Sequence, residues 1–172
     1  MFDKDIKIVG KHASYIKFLA KKSGELRRDF VGAEVFRRYI DVYIAGATIG
    51  LVKNLKTDAD NTPNGDSAMI FAAAVINEQL KLKFLYRAAM LLDNPALSAD
   101  ERIDLAFRFD TDEVKLKEGM EIFNSYARGG IEWLYEEFTT NATTKEDYLE
   151  KITTIVNDFH EDYSECMPSD NE

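Results

Sequence analysis

The sequence predicts an all-α fold, one compact multi-helix domain of six or seven helices over residues 1–163. Three observations lead there. Apolar residues recur every three or four positions along most of the 172-residue chain, which is the period of a helix face. Serine or threonine followed three residues later by glutamate opens two of those stretches, as in a capping box. Only Ile6–Val9 hints at a strand, and one strand makes no sheet.

The elements follow in chain order. Lys11 to Lys22 reads as a basic amphipathic helix with Tyr15, Ile16 and Leu19 on one face. Tyr39 to Val52, YIDVYIAGATIGLV, is the longest near-apolar run and reads as a buried core helix at the centre of the fold. Its one charge, Asp41, follows Arg37 and Arg38 by four and three positions, the spacing of a helical ion pair. Gly46 and Gly50 stand one turn apart in that helix, each costing ~1 kcal/mol of propensity relative to alanine, so a closely crossing helix is expected to compensate. Lys53 to Asp66 gathers the turn-forming residues and is the clearest loop, expected to be the most mobile.

From Asp66, as N-cap, a long helix is expected to run to about Leu92, with Ala73, Ile76, Leu80, Phe84, Ala88 and Leu91 on its inward stripe. Asp93-Asn94-Pro95 breaks it, because proline disfavours helical backbone at the residue before it. Ser98 with Glu101 opens a short helix through Ile103, Ala106 and Phe107. Ile122 to Phe138, IFNSYARGGIEWLYEEF, is dense in aromatics and interrupted by Gly129-Gly130. After a break at Thr139 to Thr144, Thr143 with Glu146 caps a terminal helix that turns Tyr148, Ile152, Ile155, Val156 and Phe159 inward and Glu150, Asp158 and Glu161 outward. Residues 164–172 form an acidic tail, expected to be disordered.

Composition narrows the function classes. At 45% apolar residues the chain can bury one sizeable core. No run approaches the roughly 20 apolar residues that cross a bilayer, so no membrane role is expected. The N-terminal MFDKDIKIVG lacks a secretory apolar run and carries acids that argue against a transit peptide. With a single thiol, Cys166, this suits the cytoplasm. Net charge is -9, but residues 1–40 hold ten basic side chains against five acids, and residues 132–172 hold twelve acids against Lys145 and Lys151. Opposite charge at the two ends favours steering of partners or head-to-tail association into a homo-oligomer.

No nucleophile stands beside a base, and no phosphate loop is present. His12 and His160 lack any metal-ligand spacing and read as surface or half-buried residues. Asp100, Glu101 and Asp104 alternate with Arg102 and Arg108 as a solvated helix face. No metal, no cofactor and no enzymatic activity are expected. Gly129-Gly130 reads first as a helix stop with a new helix from Ile131 to Phe138. The other reading is a backbone surface left bare for a partner, with Phe123, Tyr126, Arg128 and Trp133 as anchors of the type enriched at interface hot spots. Lys17, Lys21, Lys22, Arg27 and Arg28 form the one patch that suits nucleic-acid phosphates. A pI near 4.8 and the lack of a stacking platform or helix-turn-helix disfavour it.

Two segments together carry a resemblance. Phe36 to Leu51, FRRYIDVYIAGATIGL, and Ile122 to Leu134, with Phe123, Tyr126, Gly129 and Gly130 in a Phe-x-x-Tyr-x-x-Gly-Gly pattern, resemble the small helical proteins associated with bacterial DNA phosphorothioation (Dnd-type) clusters. The resemblance implies an accessory role in a DNA-modification or phage-defence system, exercised by binding other proteins of that system. The function expected from the sequence is therefore a non-catalytic helical adaptor, with nucleic-acid binding by the basic N-terminal third as the alternative.

Overall fold

In the computed structural model the elements run β1 (Ile6–Val9), α1 (Lys11–Leu19), α2 (Tyr39–Val52), β2 (Ser67–Ile70), α3 (Ala72–Asn77), α4 (Gln79–Leu92), α5 (Ala99–Phe107), α6 (Glu113–Thr139) and α7 (Lys145–Tyr163). The structure describes residues 1–20, 35–108, 112–140, 142 and 144–164. The fold is predominantly all-α, with seven helices and one two-stranded sheet among the described residues. By contacts the chain divides into two compact units, Met1–Tyr135 and Glu136–Glu172.

In the first unit α2 is the buried centre that its composition predicts. Ile40, Val42, Tyr43, Gly46, Ala47 and Gly50 are all buried. Asp41 is held at its first turn by Arg38, whose Nε and Nη2 donate to the carboxylate at 3.0 and 2.5 Å. The same guanidinium donates to Glu78 at 2.8 Å. Against α2 runs α6, 27 residues long and unbroken. The expected helix stop at Gly129-Gly130 is therefore wrong, and contact with α2 is the physical reason. A Cβ on Gly130 would overlap the carbonyl oxygen of Gly46, and one on Gly50 would overlap that of Tyr126. A Cβ on Gly46 would fall 2.6 Å from Ile131 Cγ1 and 2.8 Å from the carbonyl oxygen of Ala127. The glycines let two helix backbones touch, and packing outweighs the propensity they forfeit.

The expected helix from Asp66 to Leu92 is the second correction. Ser67–Ile70 is a strand that pairs antiparallel with Ile6–Val9, in register Ile6 to Ile70 and Val9 to Ser67. Ala68 and Ile70 point inward while Ser67 and Met69 are exposed, the alternation of a half-buried strand. Asp66 does not cap a helix. Its backbone oxygen accepts from Gly10 N, and its carboxylate takes Lys17 Nζ, Ser14 Oγ and Ser67 N. After β2 the helical path is interrupted at Glu78, between α3 and α4. The buried stripe is Val75, Leu82, Leu85, Tyr86, Ala89 and Met90, not the one built on Ile76, Leu80 and Phe84. Both stripes have helical spacing, so the period alone does not choose between them.

The break after Leu92 stands where Pro95 placed it, and the Ser98–Glu101 capping box opens α5. In the loop at 53–66, Leu55 N donates to Gly50 O and Thr57 N to Ser125 O. Lys56 pairs with Asp93, so the segment expected to be most mobile is tied to α2, α6 and the end of α4. Phe123 of α6 is the hub of an aromatic cluster, edge-on to Phe2, Tyr43 and Tyr86 with centroids 5.7, 5.8 and 6.2 Å away.

In the second unit the capping box of α7 falls one residue later than expected, on Thr144 and Asp147. Tyr148 is buried near Phe138, with ring centroids 6.3 Å apart. Ile152, Ile155 and Phe159 are half-buried, but Val156, expected inward, is exposed. Of the tail expected over 164–172, Ser164 is the C-cap of α7 and residues 165–172 lie outside the described residues.

The helix crossing yields a stability test. Gly130→Ala should destabilise by roughly 1–3 kcal/mol, the usual range for overpacking, despite the ~1 kcal/mol that alanine adds in helix propensity. Gly119→Ala, whose Cβ meets only the side-chain ends of Tyr86 and Met90, should cost less. Urea denaturation of both variants measures the difference, and equal effects would contradict a backbone contact at Gly130.

Candidate interaction surface

The residues expected to bind a partner lie mostly inside. Phe123 and Tyr126 are buried, and Gly129 and Gly130 face Leu55 and Gly46 of the same chain. Arg128 donates from Nε to Thr57 O at 2.8 Å and from Nη2 to Glu121 at 2.5 Å. Trp133 is half-buried, with Lys53 Nζ 5.0 Å from its ring centroid. The aromatic segment is thus core, and what approaches its bare backbone is α2 and the 53–57 segment. Of the five cations expected to meet phosphate, Lys17 is paired with Asp66. Lys21, Lys22, Arg27 and Arg28 lie outside the described residues, as does Cys166.

A polar cluster that sequence spacing does not reveal forms where the start of α1, the 57–66 loop and α6 meet. Lys11 Nζ donates to Glu132 Oε1 at 2.5 Å, and Thr57 Oγ1 to Glu132 Oε2 at 2.9 Å. Burial pushes Glu132 up, but these hydrogen bonds outweigh it and hold the carboxyl below its ordinary value. Asp60 accepts from Thr62 Oγ1 and from the backbone N–H groups of Thr62 and Lys11, which lowers it to about 2 and ties the loop to the start of α1.

His12, expected at or near the surface, is fully buried in this cluster. Neither ring nitrogen has a hydrogen-bond partner among the described residues, and Glu132 Oε2 stands 4.0 Å from Nε2. Desolvation drives its pKa down to about 4, with Lys11 and Arg128 adding to the shift and Glu132 and Asp60 opposing it. The ring is closed to solvent, so it packs as a neutral aromatic edge-on to Tyr15 and is not presented to a substrate. No group of three or more His, Cys, Asp or Glu side chains suited to a metal ion occurs among the described residues.

What the core leaves outside is an apolar ridge. Leu80 and Phe84, one turn apart on α4, are 84% and 70% exposed, and Ile76 one turn earlier is 51% exposed. Leu80 and Phe84, with Lys81 and Leu85, form one wall of a shallow, solvent-open groove of about 410 Å³, and Ile44 and Thr48 of α2 form the other. Helix α4 carries Lys81, Lys83 and Arg87 and no carboxylate. The nearby acids Asp41 and Glu78 are already held by Arg38 and Lys81. The groove is therefore apolar with basic flanks. Its residues are visible in the sequence, but only as members of the stripe that was expected to face inward.

No family model, no curated protein and no solved structure matches the chain. No helix among the described residues is long and apolar enough to cross a membrane. The structure defines a class: a predominantly helical chain with a buried histidine beneath a polar cluster and an open apolar groove.

His12 generates a pH prediction. Its folded pKa lies below the ordinary value, so the unfolded chain takes up the proton first as pH falls. The stability supplied by the neutral ring is full above about 6.5 and declines toward pH 4, by about 3 kcal/mol in total. The contribution of Asp60 falls in a lower window, between 3.8 and about 2. Urea midpoints measured from pH 7 to 4 should drop in the wild type, with the His12 part of the drop missing in His12→Phe. Parallel curves for the two proteins would contradict a buried neutral histidine.

Proposed function

We propose that this chain is a non-catalytic module that works by contact with protein, and that the contact is an acidic amphipathic helix laid into the groove between α2 and α4. The observation that carries the reading is the exposed Leu80–Phe84 ridge. Single exposed apolar residues are ordinary on protein surfaces. Two large side chains one turn apart on the rim of an apolar groove are the arrangement that receives the apolar face of a helix. The basic excess beside them, from Lys83, Arg87 and Lys81, whose partner Glu78 is shared with Arg38, favours carboxylates on the incoming helix.

The likeness of Phe36 to Leu51 and Ile122 to Leu134 to the phosphorothioation-linked family points to other proteins of a bacterial DNA-modification or defence system as partners. Those two segments are the two sides of the α2–α6 crossing, so the likeness falls on packing residues. Nucleic-acid binding draws no support from Lys17, which Asp66 already engages.

A photoreactive amino acid at position 84, introduced in the native cell, should give a covalent adduct with a polypeptide that the same group at exposed position 118 does not give. Leu80→Asp should abolish that adduct while changing folding stability by no more than about 0.5 kcal/mol, as for a surface site. Equal labelling at 84 and 118 would overturn the reading.

A further inference from the structure

We infer that the helix received by this groove is α7 of a second copy of the same chain. The inference rests on the reading of the groove as a helix-binding site and names its occupant. At about 100° per residue, Leu149, Ile152 and Val156 share one face of α7. Leu149 and Val156 are 55% and 59% exposed. With Ile152 half-buried between them, this is a second apolar stripe, open at both ends, at the i, i+3, i+7 spacing of helix-in-groove anchors. Glu146, Glu150 and Glu161 flank it on one side. Across its 19 residues α7 holds six carboxylates against two lysines, a net charge of -4.

The groove has the opposite character. Lys81 and Lys83 project on either side of the Leu80–Phe84 ridge, and Arg87 continues it. The charges match and so do the dimensions, since α4 at 14 residues and α7 at 19 extend roughly 21 and 28 Å at 1.5 Å per residue. A ridge of one helix and a stripe of the other, each apolar, exposed and bordered by opposite charge, are complementary surfaces on one chain. Such a pair of different patches on identical molecules joins them either reciprocally in a two-fold dimer or head to tail in a closed ring or an open filament.

The test is sedimentation equilibrium of the purified full chain across a range of concentrations and salt. The wild type should associate reversibly, and more weakly as ionic strength rises. Leu80→Asp with Phe84→Asp should abolish association. Lys81→Glu with Lys83→Glu should weaken it roughly tenfold or more, and Glu150→Lys with Glu161→Lys should do the same. Mixing the two charge-reversed proteins should restore association between them, which a non-specific loss of fold or solubility would not allow. A monomer at every concentration, or association indifferent to both reversals, overturns the inference. A monomer that still gives the position-84 adduct with a different protein leaves the helix-binding reading standing with another occupant. A monomer without that adduct removes both.

Discussion

The direct contact between the backbones of α2 and α6 is the constraint on which the rest of the first unit depends. Gly46 and Gly50 on one helix and Gly130 on the other have no room for a side chain. Without Cβ atoms the two helices approach until carbonyl oxygens replace side chains as the packing surface. That closeness explains why α6 continues through a Gly-Gly pair that in isolation favours a break. Propensity is a weak prior, and here a tertiary contact overrides it. The same crossing carries Phe123 into the ring cluster with Phe2, Tyr43 and Tyr86, and brings Arg128 and Glu132 onto the 57–66 loop.

Because α6 spends its aromatic face on α2 and on the N-terminal residues, those side chains are unavailable to a partner. The apolar groove left open is on the opposite side of α2, where Ile44 and Thr48 meet Leu80 and Phe84. The polar cluster around Glu132 has a structural task of its own. It gathers Lys11, Thr57 and Asp60, from segments far apart in sequence, and encloses His12, whose nitrogens have no hydrogen bond among the described residues. A buried imidazole of this kind is stable only while neutral.

Much of the framework was legible in the sequence because its signals are local. The all-apolar run of α2, the Arg38–Asp41 spacing, the Ser98–Glu101 box and the Pro95 break each depend on residues within a turn or two. Gly46 and Gly50 even announce a close crossing, since their propensity cost needs a compensating contact. The misread features all depend on partners distant in sequence. β2 exists because Ile6–Val9 lies beside it, and nothing in SAMI alone distinguishes a strand from the first turn of a helix. Helix α4 offers two apolar stripes, Leu82-Leu85-Tyr86-Ala89 and Ile76-Leu80-Phe84, and only the elements packed against it, α2, α5 and the rings of Phe2 and Phe123, decide which is buried. His12 reads as an ordinary surface histidine until Asp60 and Glu132 close over it. The candidate groove was thus present in the sequence as the right residues assigned to the wrong side.

The measurement that bears most directly on the central contact is a nuclear Overhauser spectrum of the labelled protein, read between the α-protons of Gly46 and Gly130. Helices whose backbones touch place these protons close enough for a strong cross-peak, with helical carbon shifts continuous from Tyr126 to Leu134. Both are expected of an unbroken α6 in backbone contact with α2. Absence of the cross-peak, together with non-helical shifts at Gly129 and Gly130, would show two separate helices and contradict it.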